Sequence, residues 1–393
     1  MKVAVACGGT GGHTFPGLAV AEELRRRGHE VSVWTSGRDI ESSVMKRWNG
    51  PVFSTGARQL SVRNAFHNLA AILRCRKEMK RTRPDALLAM GSYSSLPPVL
   101  AAWFCNVKAY LHEANTVPGK AVEFLSRFAE KVAISFDVTT RYLKDVKTVR
   151  TGLPVRSDIV AGKRFDFIPP NAFVVFVTGG SQGAHAVNMM LKDALVMLKS
   201  ELDKRNRTIE QPDGQAITPR PLYVIHQTGA KDEPLVVETY SKVALPSRVH
   251  AFEMEMANAF ASADIVVARA GASTCFELAA CGKPALLIPL PSAMRNHQHF
   301  NADAFAVKGA ADEGDQAKLA VRQVCRYLLE KYDHPEHLAR MAEKMRALAT
   351  PDAAAKVSDM IEGKGYNINH YESCHPVGSP GFGEGYDCGT SCV

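Results

Sequence analysis

The chain has 393 residues, 46% of them hydrophobic, a length and composition that suit two domains with cores of their own. No apolar run approaches the roughly 18 residues of a membrane-spanning helix, and residues 2–7 are too short for the apolar core of a secretory signal, so neither is expected. The net charge of +8 and pI near 9.0 point to an anionic partner; the nine cysteines lack metal-type pairing in the body of the chain and fit a reducing compartment.

Residues 2–7 read as a strand and Gly8 to His13 as the loop after it. Pro16 suits a first helical turn, with the helix running to Gly28 and a second strand at 30–34. A parallel strand, helix, strand opening follows. The loop fails the dinucleotide fingerprint, because Gly9, Gly11 and Thr14 do not complete G-x-G-x-x-G/A and no acid stands after Trp34 to bind a ribose. The segment from Arg58 to Arg83 carries eight Lys or Arg against one acid, Glu78, with Val62, Phe66, Leu69 and Leu73 on one helical stripe. Such a helix is a candidate for lying on an anionic membrane surface, although the pattern also describes a packed helix with a solvated face. No aromatic-interleaved basic motif indicates nucleic acid.

Strands at 86–90, 108–111 and 131–135 end in polar loops, notably His112, Glu113 and Asn115. Residues 151–156 look like the exit from a first domain. A second opening then appears: the strand at 173–178 precedes Gly179, Gly180, Ser181, Gln182 and Gly183, where Gly8 pairs with Gly179, Gly9 with Gly180, Thr10 with Ser181 and Gly12 with Gly183. Two doubly wound parallel-sheet (Rossmann-like) α/β domains, facing across a cleft, are the economical architecture. Expected boundaries are 1–158, 159–340, a C-terminal segment 341–362 returning to the first domain, and a disordered tail at 363–393. Residues 200–220 read as a polar surface insertion, and 318–360 as helical with Pro335 and Pro351 as starts or kinks.

The most informative stretch runs from Asp264 to Asn301. A strand at 264–268 meets the small residues Ala270 to Ser273, and Thr274 with Glu277 fits a capping box for a helix ending at Gly282. A helix N-terminus at a strand's carboxyl end is an anion seat. Two readings of Glu277 stand: it caps its own helix, or it accepts hydrogen bonds from a nucleotide ribose. Asn296, His297 and Gln298 present amides to sugar hydroxyls or simply begin a helix. Cys374, His375, Cys388 and Cys392 in the tail match no metal-site spacing, and no Asp-x-Asp stands at a strand end, so no metal or other cofactor is expected.

Taken together, GGTGGHTFPGLAVAEEL at Gly8, HEANTVPG at His112, TGLPVR at Thr151, TGGSQGA at Thr178, ARAGASTCFELAACGKPALLIP at Ala268 and NHQHFNA at Asn296 closely resemble the MurG family of inverting glycosyltransferases, over about residues 1–350. The resemblance implies the GT-B fold and transfer of N-acetylglucosamine from UDP-GlcNAc to the 4-hydroxyl of undecaprenyl-diphospho-muramyl-pentapeptide. It also implies a peripheral place on the cytoplasmic face of the bacterial inner membrane, among the cell-wall synthesis machinery. Carried over by position, Thr10, Gly11, Gly12 and Asn115 would line the acceptor side of the cleft. Arg156 and Ser181 would hold phosphates or base, and Glu253 would lie near the uracil. Ala272, Ser273, Thr274, Cys275, Phe276 and Glu277 would hold the diphosphate and ribose, and Gln298 the sugar. Ala114 stands where the family usually has Gln, and Glu253 where an apolar residue is common. His13, at the mouth of the first helix, is the first candidate for catalytic base, its alternative being a hydrogen bond that orders the glycine loop. A UDP-N-acetylglucosamine 2-epimerase and a non-catalytic UDP-sugar-binding subunit are the rival readings.

Overall fold

The computed structural model describes residues 1–9, 11–37, 48–59, 61–180, 183–208 and 220–364. The first lobe runs β1 (Lys2–Ala6), α1 (Gly11–Arg26), β2 (Glu30–Thr35), β3 (Val52–Ser54), α2 (Ala65–Thr82), β4 (Ala86–Ala89), α3 (Leu96–Phe104), β5 (Lys108–Glu113), α4 (Lys120–Leu125), β6 (Lys131–Ile134) and β7 (Thr148–Arg150). The second runs β8 (Phe173–Thr178), α5 (His185–Thr208), β9 (Leu222–Gln227), α6 (Glu233–Lys242), β10 (Ser247–His250), α7 (Met256–Ser262), β11 (Ile265–Ala268), α8 (Ala272–Cys281), β12 (Ala285–Leu287), α9 (His297–Ala306) and β13 (Ala311–Glu313). Helices α10 (Val321–Asp333), α11 (Pro335–Ala347) and α12 (Ala353–Glu362) follow.

The strands of each lobe form an all-parallel sheet, ordered β3-β2-β1-β4-β5-β6-β7 in the first and β10-β9-β8-β11-β12-β13 in the second. In both, strand order reverses beside the lobe's first strand, the place where doubly wound sheets open a ligand crevice at their carboxyl edge. Central strands such as β8 and β11 are buried at every residue, which is why their sequences are continuous apolar runs and not alternating ones. The helix after β1 lies close on the sheet because Gly17 faces Cys7: a Cβ there would come within 2.2 Å of the Cys7 Cβ.

Two chain crossings join the lobes and touch each other. Gly152, at φ +80°, leaves room for Thr350 at the return crossing, where a Cβ would meet it at 2.4 Å. Around them Phe136 of the first lobe packs edge-on against Phe276 of α8 and Phe305 of α9, at 5.2 and 6.2 Å between ring centres, so the lobes share one core.

Helix α11 packs on α8, whereas α12 packs on α1 and puts Val357, Met360 and Ile361 into the first lobe's core. The return to the first lobe is thus made by α12 alone. Arg27 fixes it, donating from Nη1 to Asp359 at 2.5 Å and Glu362 at 3.0 Å, and from Nη2 to the Ala355 carbonyl at 3.1 Å.

Two expectations change. The polar segment from Ser200 is not an insertion at its start, because α5 continues to Thr208; residues 209–219 and the tail from 365 onward lie outside the described residues. Pro16 is not in a first turn either: α1 begins at Gly11, and Pro16 stands inside it.

Glu362 makes the α12 contact sensitive to acid. Burial raises its carboxyl pKa, but hydrogen bonds from His29 and Lys364 and the charge of Arg27 outweigh this and hold it at about 2, against an ordinary 4.5. Its contribution is therefore complete above pH 4.5 and is lost as pH falls toward 2. In thermal unfolding across that window the melting temperature of Glu362→Gln should fall less steeply than that of the parent; equal slopes would contradict the assignment.

Candidate active site

The α8 entrance lacks a side-chain cap. Its N-cap is Gly271, in extended conformation at φ −67° and ψ 140°, with no side-chain capping bond and no acid in the first turn. The expected capping box is therefore absent. The helix starts at Ala272 instead of Thr274, and Thr274 and Glu277 lie within it. First-turn amides have no acceptor in their own helix, so those of Ala272, Ser273 and Thr274 depend on outside partners. The C-terminal end is as expected, with Gly282 at φ +61° closing the helix onto Ala279 and Leu278.

Helix α1 comes to meet α8 from the other lobe, also without an acid in its first turn. Proline at position 16 has no amide to offer the carbonyl one turn back, that of Gly12. Ser273 Oγ donates to this Gly12 carbonyl at 3.1 Å. A carbonyl released by a helical proline in one lobe thus receives the hydroxyl of the other lobe's α8 first turn.

His13 sits in the same turn. Burial and the nearby charge of His297 lower its pKa to about 4, so its imidazole is neutral at physiological pH. His112, at the end of β5, is likewise lowered to about 4, mainly by burial, and its Nε2 lies 3.0 Å from the Gly152 carbonyl at the crossing.

Arg156 leaves the crossing toward the cleft. Its guanidinium lies 4.7 Å from the centre of the Phe15 ring, and its Nε is 3.4 Å from Glu277 Oε1 and 3.9 Å from Asp158. That Nε is buried and makes no hydrogen bond among the described residues. Burial raises the pKa of Glu277, with Arg156 pulling it down and Asp158 adding to the rise. Glu277 thus serves as a cross-lobe carboxylate, and its own helix end does without it.

A buried amide cluster completes the join. Glu113 is buried and accepts from the Asn115 amide at 2.9 Å, the Asn115 side chain at 3.1 Å and the Gly119 amide at 3.0 Å. Asn301 of α9, fully buried, accepts from the Thr116 amide and hydroxyl at 3.0 Å each, and donates to Asn115 Oδ1 at 3.1 Å and the Ala270 carbonyl at 3.2 Å. One side chain thereby ties the loop after β5 to the loop before α8. Before α9, Arg295 and Asn296 both take left-handed backbone, and Arg295 reaches Pro118 and Glu123 of the first lobe.

The remaining expected residues divide. Gly11 and Gly12 open α1 at the cleft. Gln298 Oε1 accepts from the Leu290 amide at 2.9 Å. Cys275 and Phe276 turn into the shared core, where burial pushes the Cys275 thiol up to about 12, so only their backbones can serve a ligand. The Glu253 carboxylate is wholly engaged, by Arg248 at 2.9 and 3.1 Å and by the Glu255 amide at 2.8 Å. It orders its loop, which explains an acid at that place. Thr10 and Ser181 lie outside the described residues.

Two residues that the sequence reading did not single out emerge here. Asn301 is one, and an Asn inside a helix, a poor helix former, was its available signal. Gln227 is the other: at the end of β9 it donates to the Gly180 carbonyl at 2.7 Å and accepts from the Glu253 amide at 3.1 Å, linking two loops of the second lobe.

Family models for the N-terminal and C-terminal domains of glycosyltransferase family 28 match residues 3–134 and 174–357. UDP-N-acetylglucosamine–N-acetylmuramyl-(pentapeptide) pyrophosphoryl-undecaprenol N-acetylglucosamine transferases are close relatives: that of Geotalea uraniireducens is 34% identical over 371 residues, 91% of this chain and 97% of its own. That of Pseudomonas syringae pv. tomato is 36% identical over 363 residues, 91% of this chain and 96% of its own. The chain belongs to the MurG family. The crystal structure of Acinetobacter baumannii MurG superposes with a TM-score of 0.71 at 29% identity, covering 92% of this chain and 100% of that one. The two facing parallel-sheet lobes of this MurG-family chain are the GT-B fold. A UDP-GlcNAc 2-epimerase from Neisseria meningitidis, solved with UDP-GlcNAc, shares this fold at a TM-score of 0.68 but only 14% identity, over 92% of this chain and 100% of its own.

Because Asn301 satisfies groups buried on both lobes, Asn301→Ala strands the Thr116 amide and the Ala270 carbonyl, at about 1–3 kcal/mol for each. A drop of several degrees in melting temperature is expected. A melting temperature unchanged within a degree would show that the cluster does not hold the lobes.

Proposed function

We propose that this chain transfers N-acetylglucosamine from UDP-GlcNAc to the 4-hydroxyl of undecaprenyl-diphospho-N-acetylmuramyl-pentapeptide, with inversion at the anomeric carbon. The observation that carries the reading is the meeting of the α1 and α8 N-termini across the cleft, joined by Ser273 and Gly12. Each helix end favours an anion by about 0.3–1 kcal/mol at a surface and up to ~2 kcal/mol when partly buried. A diphosphate leaving group between them meets first-turn amides and two positive dipole ends, the stabilisation that departure of UDP requires. Arg156 brings a guanidinium to the same space, its charge shared with Glu277 and Asp158, and Glu277 accepts the ribose hydroxyls, one turn beyond a diphosphate at Ser273 and Thr274. Gln298 and Asn115 serve the sugar from the α9 and β5 sides.

The acceptor hydroxyl attacks the anomeric carbon in line with the departing diphosphate, and its proton passes to a base. His13 is neutral and stands at the first-lobe side of this space, which suits that role. The negative diphosphate nearby would raise its pKa from about 4 as the imidazolium forms.

Attachment to the membrane fits α2. Phe66 is 84% exposed, and Leu69 and Leu73 are also exposed, while Asn68, Ala71, Cys75 and Met79 on the other face are buried. Arg74, Arg76, Lys77 and Lys80 share the helix, and Trp103 and Phe104 are exposed on α3, which packs on it. The Val62 side chain lies outside the described residues. Among the described residues no helix is long and apolar enough to cross a membrane. An amphipathic basic face of this kind would seat the first lobe on anionic lipid at the cytoplasmic side of the inner membrane, beside a lipid-linked acceptor.

Labelled UDP-GlcNAc supplied with and without the lipid acceptor tests the reaction. Label should enter lipid only when acceptor is present; free sugar and UDP without acceptor would indicate an epimerase, and binding without turnover a carrier. In the same assay His13→Ala should lower turnover by about 10²–10⁴ with UDP affinity nearly unchanged, and full turnover would remove His13 from the role. Phe66→Ser with Leu69→Ser should weaken sedimentation with anionic vesicles while leaving turnover on a detergent-solubilised acceptor intact; unchanged sedimentation would dispose of the α2 face.

A further inference from the structure

The corner between α10 and α11 gathers four metal-ligating side chains that the transfer reaction does not use. Asp333 and His334 end one helix and Pro335 begins the next, so His334, Glu336 and His337 crowd into a single turn opposite Glu330. One ligand atom from each of His334, Glu336 and His337 lies within 4.8 Å of the others. The two imidazoles are stacked, with ring centres 5.1 Å apart and planes 21° apart.

The hydrogen bonds assign the free lone pairs. Glu330 Oε1 is 2.5 Å from His337 Nδ1, and a carboxylate only accepts, so Nδ1 carries the proton and Nε2 is left as a donor atom toward a cation. Lys331 holds the other Glu330 oxygen at 3.1 Å, fixing that carboxylate as an outer anchor. Glu336 Oε1 lies 3.9 Å from His337 Nε2 and 3.1 Å from His334 Nδ1. By the same rule His334 Nδ1 carries a proton toward Glu336, and a cation would displace that proton to bind between the two side chains. We propose that His334, Glu336 and His337 form a site for a late first-row divalent cation, of which Zn²⁺ is the one to test, with Glu330 orienting His337 from behind. Two imidazoles and one carboxylate at about 2.0–2.2 Å, with water completing the tetrahedron, are a ligand set that zinc accepts, and a carboxylate behind a ligating imidazole is its usual support.

The site is separate from the transfer cleft. Asp333 binds Arg205, 20 residues along α5 from His185 beside the glycine loop, a distance of roughly 30 Å in a helix. Tyr332 likewise bonds the Arg220 carbonyl, and Arg220 lies over Phe173 at the start of β8. The corner therefore belongs to the amino edge of the second sheet, and the cleft to its carboxyl edge. A cation there would brace the junction of α10 with α11, the helix that packs on α8.

The test uses the full chain carrying Cys374→Ser, Cys388→Ser and Cys392→Ser, so that tail thiols take no metal, stripped with chelator and titrated with ZnCl₂ by calorimetry. His334→Gln with His337→Gln should lose one equivalent of zinc and the rise of about 3 °C or more in melting temperature that zinc gives the parent. Glu336→Gln, a change on an exposed side chain, should weaken binding about tenfold or more, and equal melting temperatures without metal would show that both variants are folded. Bound Co²⁺ should lack a thiolate charge-transfer band. The same stoichiometry and affinity in the double variant, or a thiolate band, would overturn the site.

Discussion

Two helix N-termini face each other across the cleft with no acidic side chain in either first turn. Like ends of helix dipoles repel, and the first-turn amides have no partners in their own helices. An anion between the ends, as proposed for the diphosphate, would offset that repulsion, and most of the remaining architecture serves to hold the two ends in place. Shared aromatic packing at the hinge, the buried Asn301 cluster and the clasp of α12 on α1 all keep two separately folded sheets in register.

Pro16 shows how a local sequence choice reaches the site. Proline inside a helix ordinarily costs a hydrogen bond, and here the carbonyl it releases is the one Ser273 engages. Ser273 is also at the seat expected for the diphosphate, so its hydroxyl can hold the lobes together while its backbone amide remains for the ligand. Glu277 makes a comparable link. Its carboxylate lies against Arg156 from the interlobe crossing, so a group on the donor side is oriented by the segment that joins the halves.

Much of this was legible in the chain. Apolar runs followed by glycine loops marked both lobes, since buried parallel strands and tight strand-to-helix turns demand those residues. Gly282 announced the end of α8 because left-handed backbone there favours glycine. The start of α8 was not legible: Thr274 and Glu277 imitate a capping box, while the actual N-cap, Gly271, has no side chain to signal it. Nor was the pairing of Asn301 with Thr116, which spans 185 residues and leaves no local periodicity. Glu253 was expected near the uracil by position, and the bonds that Arg248 makes to its carboxylate leave no local signal in the sequence. The stretch after Ser200 was polar enough to suggest a loop, yet α5 carries it on to Thr208.

The most direct measurement is a crystal structure with UDP-GlcNAc bound. The account predicts diphosphate oxygens within about 3.2 Å of the Ser273 and Thr274 amides, between the α1 and α8 ends. A diphosphate seated away from both ends, or held chiefly through a divalent metal, would contradict it.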